Sequence, residues 1–344
     1  MAATKPEKIL IVRNDKIGDF MLSYPAFALL KNSLPECQVC ALVPPYTKDM
    51  AEACPWIDEV IIDEFQNKGL SADLKLISLF KQHQFDAIVS LYSTTRVAIA
   101  SLLAGIPYRL APATKLAQIC YNHKLRQRRS RSEKPEYDYN CDLIRQFCTD
   151  HNIAINSSQQ PPFLQFDEDY VATLRQSFCY QHQLSTQSKL IFIHPGSGGS
   201  ARNLSIHQYA ELASKLKSDT GHTLVISAGP GEYENAHKMA QLLDNTPHVI
   251  YESRDGLRQF AEHIQFADIF IGGSTGPVHI AGALNRPTVA FYPRRRSATA
   301  LRWQTLNSSD CRLAFSPPGN AEEEDMGSIN INLIADKINQ QYLG

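Results

Sequence analysis

An acid placed just past a glycine, where a strand-like run gives way to a helix-like one, is a natural candidate for chemistry on a bound substrate. Residues 13–19 read Arg-Asn-Asp-Lys-Ile-Gly-Asp directly after the apolar run Ile9-Leu10-Ile11-Val12. Gly18 lets the chain turn sharply and sets Asp19 at or near the start of the next helix, at the mouth of a cleft. Two roles stay open for Asp19. It is either a cap whose carboxylate accepts backbone N–H bonds, or a general base that takes the proton of an acceptor hydroxyl.

Two glycine-rich turns in the second half have a different character. His194-Pro195-Gly196-Ser197-Gly198-Gly199 closes a strand-like run and offers bare backbone N–H groups and the Ser197 hydroxyl, which suits a diphosphate. It matches neither the dinucleotide pattern nor the nucleoside-triphosphatase loop. Arg202 follows, either as a permanently charged fork reaching the same phosphates or as a solvated surface cation. Gly272-Gly273-Ser274-Thr275-Gly276-Pro277-Val278-His279 lies between a strand and a helix, with Pro277 in the favoured first turn. Its N–H groups at Thr275 and Gly276 make a second anion cradle. His279 stands on the first turn of that helix, as a ligand contact or a packed core histidine.

These turns need a scaffold, and the length and periodicity indicate which one. The chain has 344 residues, 43% hydrophobic and 20% charged, enough for two domains with a core each. Strand-like runs at 9–13, 38–43, 59–62 and 85–91 alternate with helix-like segments at 23–33, 47–53 and 73–83. After helices at 97–104 and 139–149, the polar segment 157–162 separates the halves. The rhythm then restarts, with strands at 190–194, 223–228, 249–251, 269–272 and 288–291, and helices at 168–183, 206–220, 233–243, 257–266 and 277–284. The expectation is α/β: two doubly wound, Rossmann-like domains over 1–160 and 161–344, facing across a cleft, with ligands at the carboxyl ends of the strands.

Other classes are excluded or disfavoured. No run reaches the roughly 20 apolar residues of a spanning helix, and no signal peptide precedes the first strand. Eight scattered cysteines suit free thiols in a reducing cytoplasm, and Cys37-Gln-Val-Cys40 has no partner pair at zinc-site spacing. No metal or other cofactor is expected. The net charge of −1 conceals a basic stretch at 115–134, with Lys or Arg at 115, 124, 126, 128, 129, 131 and 134 against Glu133 alone. Without interleaved aromatics, nucleic acid is a poor partner for it. It is either a solvated loop or a surface for an anionic membrane or acceptor.

Three segments, "ILIVRNDKIGDFMLSYPAFALLK", "IFIHPGSGGSARNLSIHQYAELASKL" and "FADIFIGGSTGPVHIAGALNRPTVAFY", together with "EYDYNCDLIRQF", resemble the heptosyltransferases of lipopolysaccharide biosynthesis, glycosyltransferase family 9. The resemblance covers nearly the whole chain. It implies a GT-B fold and inverting transfer from a nucleotide-diphosphate sugar, heptose from ADP-heptose, onto an anionic lipid-linked saccharide of the inner core. It implies a cytoplasmic protein in peripheral contact with the inner membrane. Asp19 would be the catalytic base. Ser197, Arg202, Glu232, Ser274, Thr275, Gly276 and His279 would bind the donor in the C-terminal domain, and Lys16, Arg126, Arg128 and Arg129 would bind the acceptor in the N-terminal one. The family carries Lys where Arg202 stands and Asp where Ser274 stands. That Asp is linked with the donor's sugar, so the resemblance carries fold and reaction type further than the identity of that sugar. A catalytically weakened nucleotide-sugar or glycan-binding protein and a nucleotide-sugar epimerase are the other readings. A nicotinamide dehydrogenase lacks its glycines here.

Overall fold

The protein is described by a computed structural model covering residues 6–64, 69–114, 116–156, 159–196, 198, 202–217, 221–243 and 246–344. It divides into two compact units, Met1–Gln160 and Pro161–Gly344.

The first unit runs β1 (Lys8–Val12), α1 (Ile17–Met21), α2 (Tyr24–Ser33), β2 (Gln38–Val43), α3 (Lys48–Glu52), β3 (Glu59–Ile62), α4 (Leu70–His83), β4 (Ala87–Ser90), α5 (Thr95–Leu103), β5 (Tyr108–Pro112), β6 (His123–Leu125) and α6 (Glu136–Asp150). The second runs α7 (Glu168–Gln181), β7 (Lys189–His194), α8 (Ile206–Ser214), β8 (His222–Ala228), α9 (Tyr233–Gln241), β9 (His248–Glu252), α10 (Gly256–Gln265), β10 (Ile269–Gly273), α11 (Gly276–Ala283), β11 (Thr288–Phe291), β12 (Arg312–Phe315) and α12 (Ile331–Ile338). Each unit holds one six-stranded sheet, ordered β3-β2-β1-β4-β5-β6 and β12-β11-β10-β7-β8-β9, and every pairing is parallel.

The central strands explain this choice. Ile9 to Val12 and Leu190 to Ile193 are wholly buried, as strands covered by helices on both faces must be. In the first unit Leu10, Val12, Leu42 and Ile88 pack with Leu76 and Phe80 of α4 and Val97 and Ala100 of α5. In the second, Ile191, Ile193, Ile226 and Ile271 pack with Tyr209, Leu212 and Ala213 of α8 and Ile334 and Ile338 of α12. Local signals agree at several helix starts. Thr94 caps α5, Asp167 caps α7, and Ser205 with Gln208 forms a capping box on α8.

Several elements differ from the periodicity reading. Strands β5, β6 and β12 and helix α12 carry no expectation from the sequence. Strands β6 and β12 are the outermost of their sheets, where charged residues such as Lys124 and Arg312 replace the apolar run that marks an inner strand. The segment after Gly18 is a separate five-residue α1; the Ser23 hydroxyl donates to the Phe20 carbonyl at 2.5 Å, and α2 restarts with Pro25 in its first turn. The helix expected over 206–220 ends at Ser214, and 218–220 lie outside the described residues.

Candidate functional site

In the first sheet the strand order reverses between β1 and β4, and in the second between β7 and β10. Such reversals splay the flanking connections and leave a crevice at the carboxyl ends of the strands. The sequence 13–19 leaves β1 at one of these points. The turns 194–199 and 273–276 leave β7 and β10 at the other.

After β1, Arg13 organises the surroundings. Its guanidinium is 2% exposed and donates from Nη2 to Asp19 Oδ1 at 2.5 Å, from Nε to Asp15 Oδ1 at 2.8 Å, and from Nη1 to Glu136 Oε1 at 3.1 Å and Asn140 Oδ1 at 3.2 Å. Helix α6 supplies Glu136, itself buried, and Arg129 Nη1 reaches the same Glu136 oxygen at 2.6 Å. Two guanidiniums therefore face three carboxylates. Burial pushes the Asp15 carboxyl up to about 7, against the pull of Arg13 and with the charge of Asp19 adding to the rise. Lys16, with extended backbone, is the N-cap of α1 and makes no side-chain cap bond. Asp19 is thus held by Arg13 inside the first turn of α1, and the capping role left open for it is not the one it plays.

In the second unit Glu232 shapes the turn after β7. Its carboxylate accepts the Gly198 N–H at 2.8 Å and the Gly229 N–H at 3.3 Å, and faces His194 Nε2 at 3.2 Å, while His194 Nδ1 faces Ser227 Oγ at 3.1 Å. The hydrogen bond with His194 and those N–H groups outweigh burial and hold the Glu232 carboxyl down at about 2. A Cβ at Gly196 would lie 2.3 Å from this carboxylate, so the turn closes over Glu232 only with glycine there. Gly198 adopts φ +50°, the left-handed region.

Asn203 links that turn to the one after β10. Its Nδ2 donates to the Pro195 carbonyl at 3.3 Å, its Oδ1 accepts from the Tyr209 hydroxyl at 2.6 Å, and a Cβ at Gly273 would come within 2.6 Å of Oδ1. Ser274 is half-buried and Thr275 buried, and Thr275 occupies the N-cap position of α11, which begins at Gly276, without a side-chain cap bond. His279 is 2% exposed with no partner for Nδ1, and burial lowers its pKa to about 4, so the ring is neutral. Arg202 is exposed; its Nε lies 3.4 Å from Glu324, a carboxylate that Arg295 approaches at 3.3 Å. Ser197 lies outside the described residues.

The basic stretch divides. Lys115 lies outside the described residues. Arg126 and Arg128 are exposed and line an open groove of about 470 Å³ with Lys134, Tyr139 and Arg145. Arg129 turns inward to Glu136 and to the Gln127 side chain at 2.8 Å.

Comparison with known proteins decides the family. Residues 74–317 match the family model of glycosyltransferase family 9 (heptosyltransferase). A Haemophilus influenzae protein, described as a glycosyltransferase with no substrate named, is 46% identical over 330 residues, 96% of this chain and 93% of its own. The chain belongs to glycosyltransferase family 9.

Two solved structures carry the fold. A glycosyl transferase family 9 protein of Veillonella parvula superposes with a TM-score of 0.80 at 16% identity, covering 98% of this chain and 97% of its own. The ADP-heptose lipopolysaccharide heptosyltransferase II of Escherichia coli gives 0.77 at 20% identity, covering 98% of both chains. The chain is a GT-B enzyme of the heptosyltransferase family. Among its described residues no cluster of three or more metal-binding side chains occurs, and no helix is long and apolar enough to cross a membrane.

Chemically, the arrangement offers two things a glycosyl transfer needs. A carboxylate at a strand's carboxyl end can accept a hydroxyl proton, and glycine turns at helix starts can hold a diphosphate. Asp15, Glu136, Asn140 and Asn203 were not among the site residues read from the sequence. Each of the four lies inside a segment that reading quoted, but none was given a role there. Glu136 and Asn140 join the site through contacts with Arg13 that are 123 and 127 residues distant in sequence, which no local pattern records.

Proposed function

We propose that this enzyme is an inverting transferase that moves heptose from ADP-heptose onto an anionic, lipid-linked saccharide of the lipopolysaccharide inner core. The acceptor would bind in the 1–160 unit and the donor in the 161–344 unit. Asp19 takes the acceptor hydroxyl proton, the acceptor oxygen bonds to the anomeric carbon, and the bond from that carbon to the diphosphate oxygen breaks with its electron pair leaving on ADP. Asp19 is the observation that carries this reading: a carboxylate fixed by Arg13 at the switch point, with 17% of its side chain exposed. The named donor of the Escherichia coli relative supports the choice of sugar.

On the donor side, Ser197, Arg202, Ser274, Thr275, Gly276 and His279 contact the nucleotide sugar. Glu232 acts by shaping the turn that receives it. Arg202 leaves Glu324 for the diphosphate, a permanent cation in the place of the family's lysine. On the acceptor side, Lys16, Arg126 and Arg128 meet the acceptor's anionic groups, and Arg129 contributes by fixing Glu136. The same cations favour peripheral contact with the anionic inner membrane face.

Thermal shift against a panel of nucleotide sugars tests the donor, since a ligand at 100 Kd adds about 2.7 kcal/mol to stability. ADP-heptose is expected to stabilise the protein and, with a truncated inner-core acceptor, to release ADP. Stabilisation only by another nucleotide sugar overturns the choice of donor. Ser274 in place of the family's acid favours one competing reading, a weakened binding protein. Donor stabilisation with no transfer to any inner-core acceptor would establish it.

A further inference from the structure

The Arg13 fork is shared in an unusual way. The Nε and Nη2 edge of a guanidinium normally grips both oxygens of one carboxylate. Here it grips one oxygen each of two, Asp15 at 2.8 Å and Asp19 at 2.5 Å. A hydrogen bond from Arg13 occupies lone-pair capacity on Asp19 that a substrate hydroxyl would otherwise use, so whatever draws Arg13 toward another anion frees Asp19 to accept a proton. The other arm of Arg13 is already committed to Glu136 and Asn140, and Glu136 is further held by Arg129. Asp15 is therefore the adjustable partner.

We propose that Asp15 is a positioning residue for the transfer, which by competing for Arg13 sets how far Asp19 is released to take the acceptor proton. This rests on the reading of Asp19 as the base. The charged and titratable groups around Asp15 are Arg13 at the end of β1, Asp19 and Lys16 at the start of α1, Glu136 of α6 and Arg129 before it reached through Arg13, and Tyr46, whose hydroxyl donates to the Asp15 carbonyl. Burial and the neighbouring Asp19 hold Asp15 protonated up to about 7. Below that pH Asp15 is neutral and Arg13 rests on Asp19. Above it Asp15 is an anion and draws Arg13 away. Turnover should rise with pH through neutrality.

A largely desolvated carboxylate that must ionise for this purpose works against folding as pH rises through neutrality, and this separates the role from a structural one. A raised acid stabilises the fold below its unfolded value and loses that contribution as pH climbs through the folded value. Asp15→Asn, which can still accept from Nε, should therefore raise Tm at pH 8 and leave it unchanged below about pH 4. A merely structural Asp15 would give a lower Tm at pH 8.

The experiment measures ADP release from ADP-heptose with a truncated inner-core acceptor across pH 5.5–9 (about that span) for the full chain and for Asp15→Asn, Asp15→Glu and Asp19→Asn. Expected for Asp15→Asn are a kcat about tenfold lower at pH 8, loss of the limb near neutrality, and an unchanged donor KM. Asp15→Glu should restore the limb. A limb unmoved in Asp15→Asn, or a lowered Tm with kcat and donor KM falling together, overturns the inference. Should Asp19→Asn be inactive while Asp15→Asn behaves as the parent, only the inference falls. An active Asp19→Asn removes the base and the inference with it.

Discussion

Arg13 and Asp19 are joined by a 2.5 Å hydrogen bond between a guanidinium that is almost wholly buried and a carboxylate that keeps one side toward solvent. The pairing fixes the side chain of a five-residue helix too short to hold itself in place. It also sets a reactive group beside a cation that competes for its lone pairs.

Replacing Asp19 with Asn keeps the acceptor atom for Arg13 and removes the proton acceptor. We expect kcat to fall by about 10²- to 10⁴-fold, the usual worth of a general base, with Tm unchanged or raised. Single-turnover ADP release alongside a melting curve checks both. A Tm drop in parallel with the loss of activity would place Asp19 in the fold rather than in the chemistry.

Gly196→Ala should disable donor binding more than folding, because its Cβ meets the Glu232 carboxylate at 2.3 Å and the turn must open to relieve the contact. Glu232→Gln tests the same turn from the other side. The Glu232 carboxyl is depressed to about 2, so its contribution to stability is present above the ordinary carboxylate range and lost as pH falls from about 4.5 toward 2. Melting curves down that range should converge for the parent and Glu232→Gln.

His279 makes a similar test at a higher pH. Its pKa of about 4 lies below the unfolded value, so the fold loses stability as pH drops from about 6.5 through 4, by up to about 3 kcal/mol. His279→Leu should flatten that part of the stability curve. With His279 contacting the donor as proposed, the same variant weakens ADP-heptose binding at about pH 7.5, read by calorimetry.

The basic residues should separate into two classes. Arg126→Ser with Arg128→Ser should raise the acceptor KM and reduce its dependence on salt, while donor affinity and Tm stay put. Arg129→Ala leaves the buried Glu136 short of a partner and should cost about 1–3 kcal/mol of stability. A denaturant titration and acceptor kinetics on the two variants would reveal any exchange of these roles.

What the sequence determined by itself was local or periodic. The apolar runs at 9–12 and 190–193 become central strands because strands buried on both faces must be apolar throughout. The glycines at 196, 198 and 273 mark turns where a side chain or an ordinary backbone angle would not fit. Strand β6 and strand β12 were illegible for the complementary reason: as outermost strands they are free to carry Lys124 and Arg312, and they carry no long apolar run to mark them. Tertiary structure alone decided the partners. It sent Arg129 inward to Glu136 while Arg126 and Arg128, neighbours in the same run, stayed in solvent. It brought Glu136 and Asn140 to Arg13 across more than 120 residues of chain, and it placed Asp15 and Asp19 on one guanidinium fork. Periodicity reports which face of an element is buried; it holds no record of which distant charge waits there. The energetics of that charge, a carboxylate stripped of water beside a shared cation, exist only once the chain has folded.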